Sequence, residues 1–330
     1  MKSTQVLLAI FATIVTSLLA GCVPGAIDAS GQWGYVVDSN YELVVYQINP
    51  TTGSTTVVQK YPAGSATQPY TGASNQVVAV DPAGRFLYVY LTGGAAETIQ
   101  EYSINQTSHA LTLLSSAVTW SGAQPSVSSM AVDGLGRFLF VSDNNSGVYS
   151  YSINPSNGQL TQNGSASFPA GATGVVSTAV DPRGRFLYAV LPSNSVIALA
   201  IAGNGSLAQV GSPLAISTPS SLSGIAVDRT GSYLAIVTNG ANIYTASINR
   251  QTGALAAVGS LTGFNSPSAP IFDPTNQYLY VLNSTGGVGS IETVSFDAAT
   301  GSLAITSTVA ANANSNNFGS SQLLIGSAMQ

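Results

Sequence analysis

From residue 31 onward the chain alternates short apolar runs with clusters of Gly, Pro, Asn, Ser and Thr. No stretch there carries the i, i+3, i+4 apolar spacing of an amphipathic helix, whereas the β-branched and aromatic runs bounded by turn residues read as strands. The runs follow a repeating order. A small apolar strand leads into Asp-Pro-x-Gly-Arg and then into an aromatic-rich strand, as in Val78-Ala79-Val80-Asp81-Pro82-Ala83-Gly84-Arg85-Phe86-Leu87-Tyr88-Val89. The phrase returns around Asp133, Gly136 and Arg137, and around Asp181, Gly184 and Arg185, with looser copies at Asp228 and Asp273. These aspartates are 52, 48, 47 and 45 residues apart. A period of that size marks a fold built from repeated supersecondary units.

Each unit holds four strand-like runs; in the unit starting near Val127 they are Val127–Val132, Phe138–Ser142, Val148–Ile153 and Leu160–Phe168. Within the turn, proline fixes φ, the aspartate accepts backbone N–H bonds and glycine takes positive φ. The third strand closes on a Tyr-x-Ile-Asn phrase (Tyr46 to Asn49, Tyr102 to Asn105, Tyr151 to Asn154). A second hairpin signal follows at Thr52-Gly53, Asn157-Gly158, Asn204-Gly205, Thr252-Gly253 and Thr300-Gly301. Four-stranded antiparallel units of this length predict an all-β fold, a single β-propeller. The aromatic strand appears six times, starting with Trp33-Gly34-Tyr35-Val36, which gives six blades. That first copy lacks a preceding Asp-Pro strand. The apolar run Gln322-Leu323-Leu324-Ile325 is expected to supply it and to close the ring by pairing the chain ends.

The phrasing resembles the lactonase-like, YVTN-type propeller family, whose units pair an Asp-Pro-x-Gly-Arg/Lys-x-Leu-Tyr-Val run with a later Thr-Gly-x-Leu. The resemblance covers roughly residues 31 to 326. It implies a propeller that is usually seven-bladed, so a degenerate seventh blade stays open. It also implies a hydrolase of sugar lactones of the 6-phosphogluconolactonase-like kind, working through Arg, Glu and His groups around the channel.

Composition changes the picture mainly at the surface. Charged residues are only 6% of the chain, with 13 acidic against 8 basic side chains. The exposed positions are filled by hydroxyls and amides, and without a basic stripe nucleic acid is not an expected partner. The long apolar run is at the start, where Lys2 precedes Val6 to Ala20 and Leu19-Ala20-Gly21-Cys22 follows. The run is short for a membrane span and fits a secretory signal. Its end resembles the bacterial lipobox, in which the cysteine is acylated and becomes the first residue of the mature chain. Cys22 is the one cysteine in the sequence, so no disulfide is expected and the fold relies on its core. The expected organisation is a signal over 1–21, a lipidated Cys22 with a short tether to residue 30, and a propeller over 31–330. A tether of that length reaches about 25 Å fully extended. The expected product is a monomer anchored in the cell envelope, and the resemblance implies the outer membrane, where the cell has one, since Val23 rather than aspartate comes next.

The candidate chemistry is sparse. His109, the single histidine, aligns with the hairpin-tip glycines and reads as an exposed loop residue. Asp81, Asp133, Asp181, Asp228 and Asp273 recur with the turn, so they read as turn caps, with Arg85, Arg137 and Arg185 as their partners. At the opposite end the loops do not repeat, which is where propellers carry recognition. Asp38, Asn40, Glu97, Asp143, Asn144, Asn194, Asn239, Asn242 and Asn283 are the candidate binding-face residues there. Their amides and hydroxyls suit a glycan or a surface protein. Glu97 and Glu101 are the carboxylates expected nearest a channel mouth. No nucleophile elbow, phosphate loop or metal-ligand spacing appears. The residues alone therefore predict a lipid-anchored binding or scaffold module with no cofactor, no metal and no catalytic constellation.

Overall fold

In the computed structural model the described residues are 22–27, 33–38, 42–48, 55–62, 76–91, 98–114, 118–119, 126–164, 174–273, 275–285, 288–310 and 324–325. They form six sheets, each an up-and-down meander whose strands follow one another in sequence. The first blade contains Cys22–Ile27, Trp33–Asp38, Leu43–Ile48 and Thr55–Tyr61. The second has Gln76–Val80, Phe86–Leu91, Thr98–Ile104 and an outer strand in two pieces, Leu111–Leu113 and Val118–Thr119, which both pair with Thr98–Ile104. The third is Val127–Val132, Phe138–Asp143, Gly147–Ile153 and Leu160–Gln162. The fourth is Ser177–Val180, Phe186–Leu191, Ser195–Ile201 and Leu207–Ala215. The fifth is Leu222–Val227, Tyr233–Thr238, Asn242–Ile248 and Leu255–Thr262, and the sixth is Ser268–Phe272, Tyr278–Thr285, Val288–Asp297 and Ser302–Ala310.

The first strand of each blade lies against the first strand of the next, so these strands form the inner ring. The second strands are buried on both faces, Phe138–Asp143 and Phe186–Leu191 at every position. Period-two alternation divides their side chains between two neighbours. Leu87 and Val89 pack with Tyr35, Leu43 and Val45 of the first blade, while Phe86, Tyr88 and Tyr90 pack with Leu139, Val141 and Tyr151 of the third. The same handover joins the third blade to the fourth, the fourth to the fifth and the fifth to the sixth. The hydrophobic core is thus five interblade layers among the described residues. This suits a repeat fold, whose single unit cannot bury its own apolar face.

Two expectations at the chain ends change. The segment expected as a tether is instead a strand: Cys22–Ile27 pairs antiparallel with Trp33–Asp38, from Cys22 opposite Asp38 to Ile27 opposite Gly34. Pro24 and Gly25 read as turn residues in the sequence, yet the register shifts between Cys22 and Gly25. A bulge is where a strand tolerates a proline that cannot donate to the ladder. The C-terminal run therefore does not fill the inner position of the first blade. Leu324–Ile325 pairs parallel with Ala26 and Ile27 on the free side of that strand and also lies against the inner strand of the sixth blade. The chain ends close the ring, with the N-terminal strand between its own blade and the C-terminal one. Residues 1–21 lie outside the described residues.

Candidate functional site

The propeller has two unlike faces, and the turn face is built from the repeat. Each turn aspartate is at most 3% exposed. Its Oδ1 accepts the backbone N–H groups four and five residues on: Asp133 from Arg137 and from Phe138 (2.9 Å), Asp228 from Ser232 (2.6 Å) and Tyr233 (2.8 Å), Asp273 from Gln277 and Tyr278 (both 2.8 Å). Asp81 and Asp181 do the same for Arg85 and Phe86 and for Arg185 and Phe186. The second oxygen takes the arginine, with Nε at 3.3 Å for Arg85, 2.9 Å for Arg137 and 3.9 Å for Arg185. Each guanidinium also stands over the next ring, Phe86, Phe138 or Phe186, 5.1 to 5.5 Å from its centroid. Arg137 Nη2 then donates to the Gly184 carbonyl of the following turn at 2.9 Å. In the fifth blade Arg229 stands where three other turns have Pro82, Pro182 and Pro274. It donates to the Phe272 and Asp273 carbonyls of the sixth blade, and burial pulls its pKa below the usual guanidinium value. These carboxylates are spent on backbone capping and blade-to-blade stitching.

A second device on this face was not legible from one unit alone. In the first five blades the aromatic residue opening the second strand sits under the hairpin tip of the next blade. At Gly253 (φ +76°) an added Cβ would fall 2.5 Å from Phe186 Cδ1, and at Gly205 (φ +80°) 2.8 Å from Phe138 Cδ1. Gly158 meets Phe86 and Gly301 meets Tyr233 in the same way. His109 holds the corresponding tip in the second blade at φ +54°. Its imidazole stacks on Trp33, 3.8 Å between centroids and 14° between planes, and its Nδ1 shares a 3.2 Å hydrogen bond with the Tyr35 hydroxyl. The histidine is half-buried, not the exposed loop residue the alignment suggests. A comparison of each unit with the one following it would have exposed this pairing.

On the opposite face the non-repeating loops meet the connectors that lead into the inner strands, most often that of their own blade. Asp143 is fully buried; its Oδ1 accepts the N–H groups of Ser126 (2.8 Å) and Asn145 (3.0 Å), and its Oδ2 has no hydrogen-bond partner among the described residues. Asn283 does the same work in the sixth blade. Its Oδ1 accepts from Asn265 N–H at 2.6 Å and its Nδ2 donates to the buried Glu292 at 3.0 Å. Asn194 Oδ1 accepts from Leu222 N–H at 3.2 Å, and Asn239 Nδ2 donates to Ser221 Oγ at 2.8 Å. Asn242 Nδ2 donates to the Tyr244 hydroxyl at 3.3 Å. Most of these candidates thus staple interblade connections, and the groups left facing outward, such as Asn144, Asn145 and Ser193, are uncharged. Asn40 and Glu97 lie outside the described residues, and of Asp38 the backbone alone is described.

Glu101 departs from its expected place near a channel mouth. It is buried on the third strand of its blade and accepts the Leu160 N–H of the third blade at 3.1 Å. Lys60 and Glu42 form a 2.8 Å ion pair at the outer rim of the first blade. Among the described residues no group of three or more His, Cys, Asp or Glu side chains gathers. Buried hydroxyls cluster instead between the third and fourth blades, where Thr178 Oγ1 bonds Ser129 Oγ (3.0 Å) and Ser142 Oγ (2.9 Å). Nothing in the periodicity announces that network.

The family model described as "Lactonase, 7-bladed beta-propeller" matches residues 24–178 and 230–320. Its match begins inside the strand Cys22–Ile27. Among solved structures, a candidate 6-phosphogluconolactonase from Bacteroides uniformis is similar at 20% identity and TM-score 0.71, over 89% of this chain and 85% of that one. A periplasmic gluconolactonase from Pseudomonas aeruginosa is similar at 16% identity and TM-score 0.71, over 87% and 85%. A functionally unknown protein from Desulfotomaculum acetoxidans follows at 16% identity and TM-score 0.68, over 87% and 85%. No curated protein matches the chain. At these identities the structures speak to the fold. The family description counts seven blades, where the described residues form six four-stranded sheets plus Leu324–Ile325 between the last and the first.

Proposed function

Because this chain belongs to the lactonase family of β-propellers, we propose that it is an exported lactonase-type hydrolase of sugar lactones, held at the envelope by acylated Cys22. The family match over both halves of the chain is the observation that carries this reading. The loop face supports it, since outward amides and hydroxyls there suit a polyhydroxylated ring. An exported location is in keeping with the signal-like start, and the periplasmic gluconolactonase of similar fold is a protein of that compartment by description. Hydrolysis needs a group to activate water within hydrogen-bond reach of the lactone carbonyl. Glu97, which the sequence puts among the candidate binding-face residues, is the carboxylate to test first.

A second reading, a non-catalytic glycan-binding or scaffold propeller, has its own observation. The turn aspartates, Glu101, Glu292 and His109 are all engaged in holding blades together. The experiment is a pH-stat assay of the purified protein with glucono-δ-lactone. The hydrolase reading expects saturable acid release above the spontaneous rate, lowered about 100-fold or more by Glu97→Gln. Release no faster than buffer, combined with saturable sugar binding by calorimetry, would establish the second reading in its place.

A further inference from the structure

The inner strand of the first blade starts at the residue proposed to carry the lipid. Cys22 is in register with Asp38, the last residue of the second strand, and the second strands end at the loop face. The other end of the same strand, Ile27 opposite Gly34, points to the turn face. With Cys22–Ile27 in the sheet, no tether separates an anchor at Cys22 from the folded body. The reach of about 25 Å that a free tether would give is replaced by one residue. A six-residue strand spans about 20 Å, so the two faces differ in distance from the anchor by roughly that much.

The charges divide in the same direction. All six arginines, Arg85, Arg137, Arg183, Arg185, Arg229 and Arg250, lie in the turns and hairpin tips of the turn face. The described loop-face residues carry the buried Asp143 and, at the rim, the mutually neutralised Glu42 and Lys60. Such a face loses little hydration of exposed ions when pressed against polar headgroups.

We propose that the loop face lies against the headgroup layer of the membrane holding the acyl chains, with the turn face and its arginines directed away. This rests on the reading of Cys22 as acylated. It adds that the candidate ligand-binding loops meet molecules at the membrane surface.

The one native cysteine makes the test direct. Single cysteines are introduced into the full-length, lipid-processed protein at Asn144→Cys and Ser193→Cys on the loop face, and at Arg183→Cys and Arg250→Cys on the turn face. Each is labelled with a small fluorophore and reconstituted into phosphatidylethanolamine/phosphatidylglycerol vesicles carrying nitroxide headgroups. Quenching several-fold stronger for both loop-face labels supports the proposal. Equal quenching on the two faces, or stronger quenching at Arg183 and Arg250, overturns it. Mass spectrometry of the unlabelled protein separates the two ideas. An unacylated, maleimide-reactive Cys22 removes the anchor and the orientation together, whereas acylated Cys22 with turn-face quenching removes the orientation alone.

Discussion

Replacing Gly253 by alanine tests whether the hairpin tips clasp neighbouring blades through a ring placed where a side chain would be. Gly253 has φ +76°, and an ideal Cβ there would lie 2.5 Å from Phe186 Cδ1 and 2.7 Å from Cε1. The ring is 7% exposed and packed among Ile248, Ala246 and Leu234 of the fifth blade, so it has little room to retreat. Two costs add. A left-handed backbone costs alanine about 1 kcal/mol, and overpacking a filled site costs about 1–3 kcal/mol. The sum is about 2–4 kcal/mol. Unfolding entropy of about 2.1 cal/mol/K per residue over about 300 residues converts this to a drop of about 3–6 °C in melting temperature. Thermal melts followed by circular dichroism give the number. The cause is isolated by repeating the substitution in a Phe186→Leu background, where the clash is gone and alanine should cost only the backbone part, about 1 kcal/mol. An unchanged melting temperature for Gly253→Ala, or the same loss in both backgrounds, would refute the steric clasp.

The turn caps give a second test. Asp133→Ala leaves the buried N–H groups of Arg137 and Phe138 without an acceptor and should cost about 3–5 kcal/mol in denaturant unfolding, whereas Asp133→Asn keeps an acceptor oxygen and should cost about 1 kcal/mol, the Arg137 partner being part-exposed. A third concerns pH at the last hairpin. The Thr300 hydroxyl and the Ala299 N–H hold the Asp297 carboxyl below the usual aspartate range. A depressed folded-state pKa means that the hairpin gains from ionised Asp297 above the ordinary aspartate pKa and loses this as pH falls through the depressed one. NMR titration of the carboxyl carbon reads the midpoint directly, and Thr300→Ala should move it upward.

The architecture was open to sequence reasoning because one turn repeats with all its parts: Asp133 to Phe138 spells a cap, a positive-φ glycine (+67°) and the ring that starts a buried strand. Spacing then fixes the unit and alternation fixes which side chains are shared between blades. What escaped depends on contacts that a single run of residues does not display. Trp33 and His109 are 76 positions apart by number and belong to different copies, so neither copy alone shows the stack. Glu101 sits in a strand pattern that gives no sign of the Leu160 amide waiting in the next blade. Pro24-Gly25 has the composition of a linker, and only pairing with Trp33–Asp38 makes it a bulged strand. On the loop face, Asp143 and Asn283 looked free to bind ligand because the connectors they cap, at Ser126 and Asn265, are distant in the chain.

The bulged first strand also decides how the molecule meets mechanical load. Ladder hydrogen bonds run perpendicular to the strands in an antiparallel pair and slanted in a parallel one, across rather than along the chain in both. A pull entering at Cys22 along Cys22–Ile27 therefore strains the bonds to Val36, Tyr35 and Gly34 on one side, and the pairing with Leu324 and Ile325 on the other, all at once. Peeling would break them one at a time. The first strand of the first blade is thus gripped on both edges against any traction that enters at Cys22.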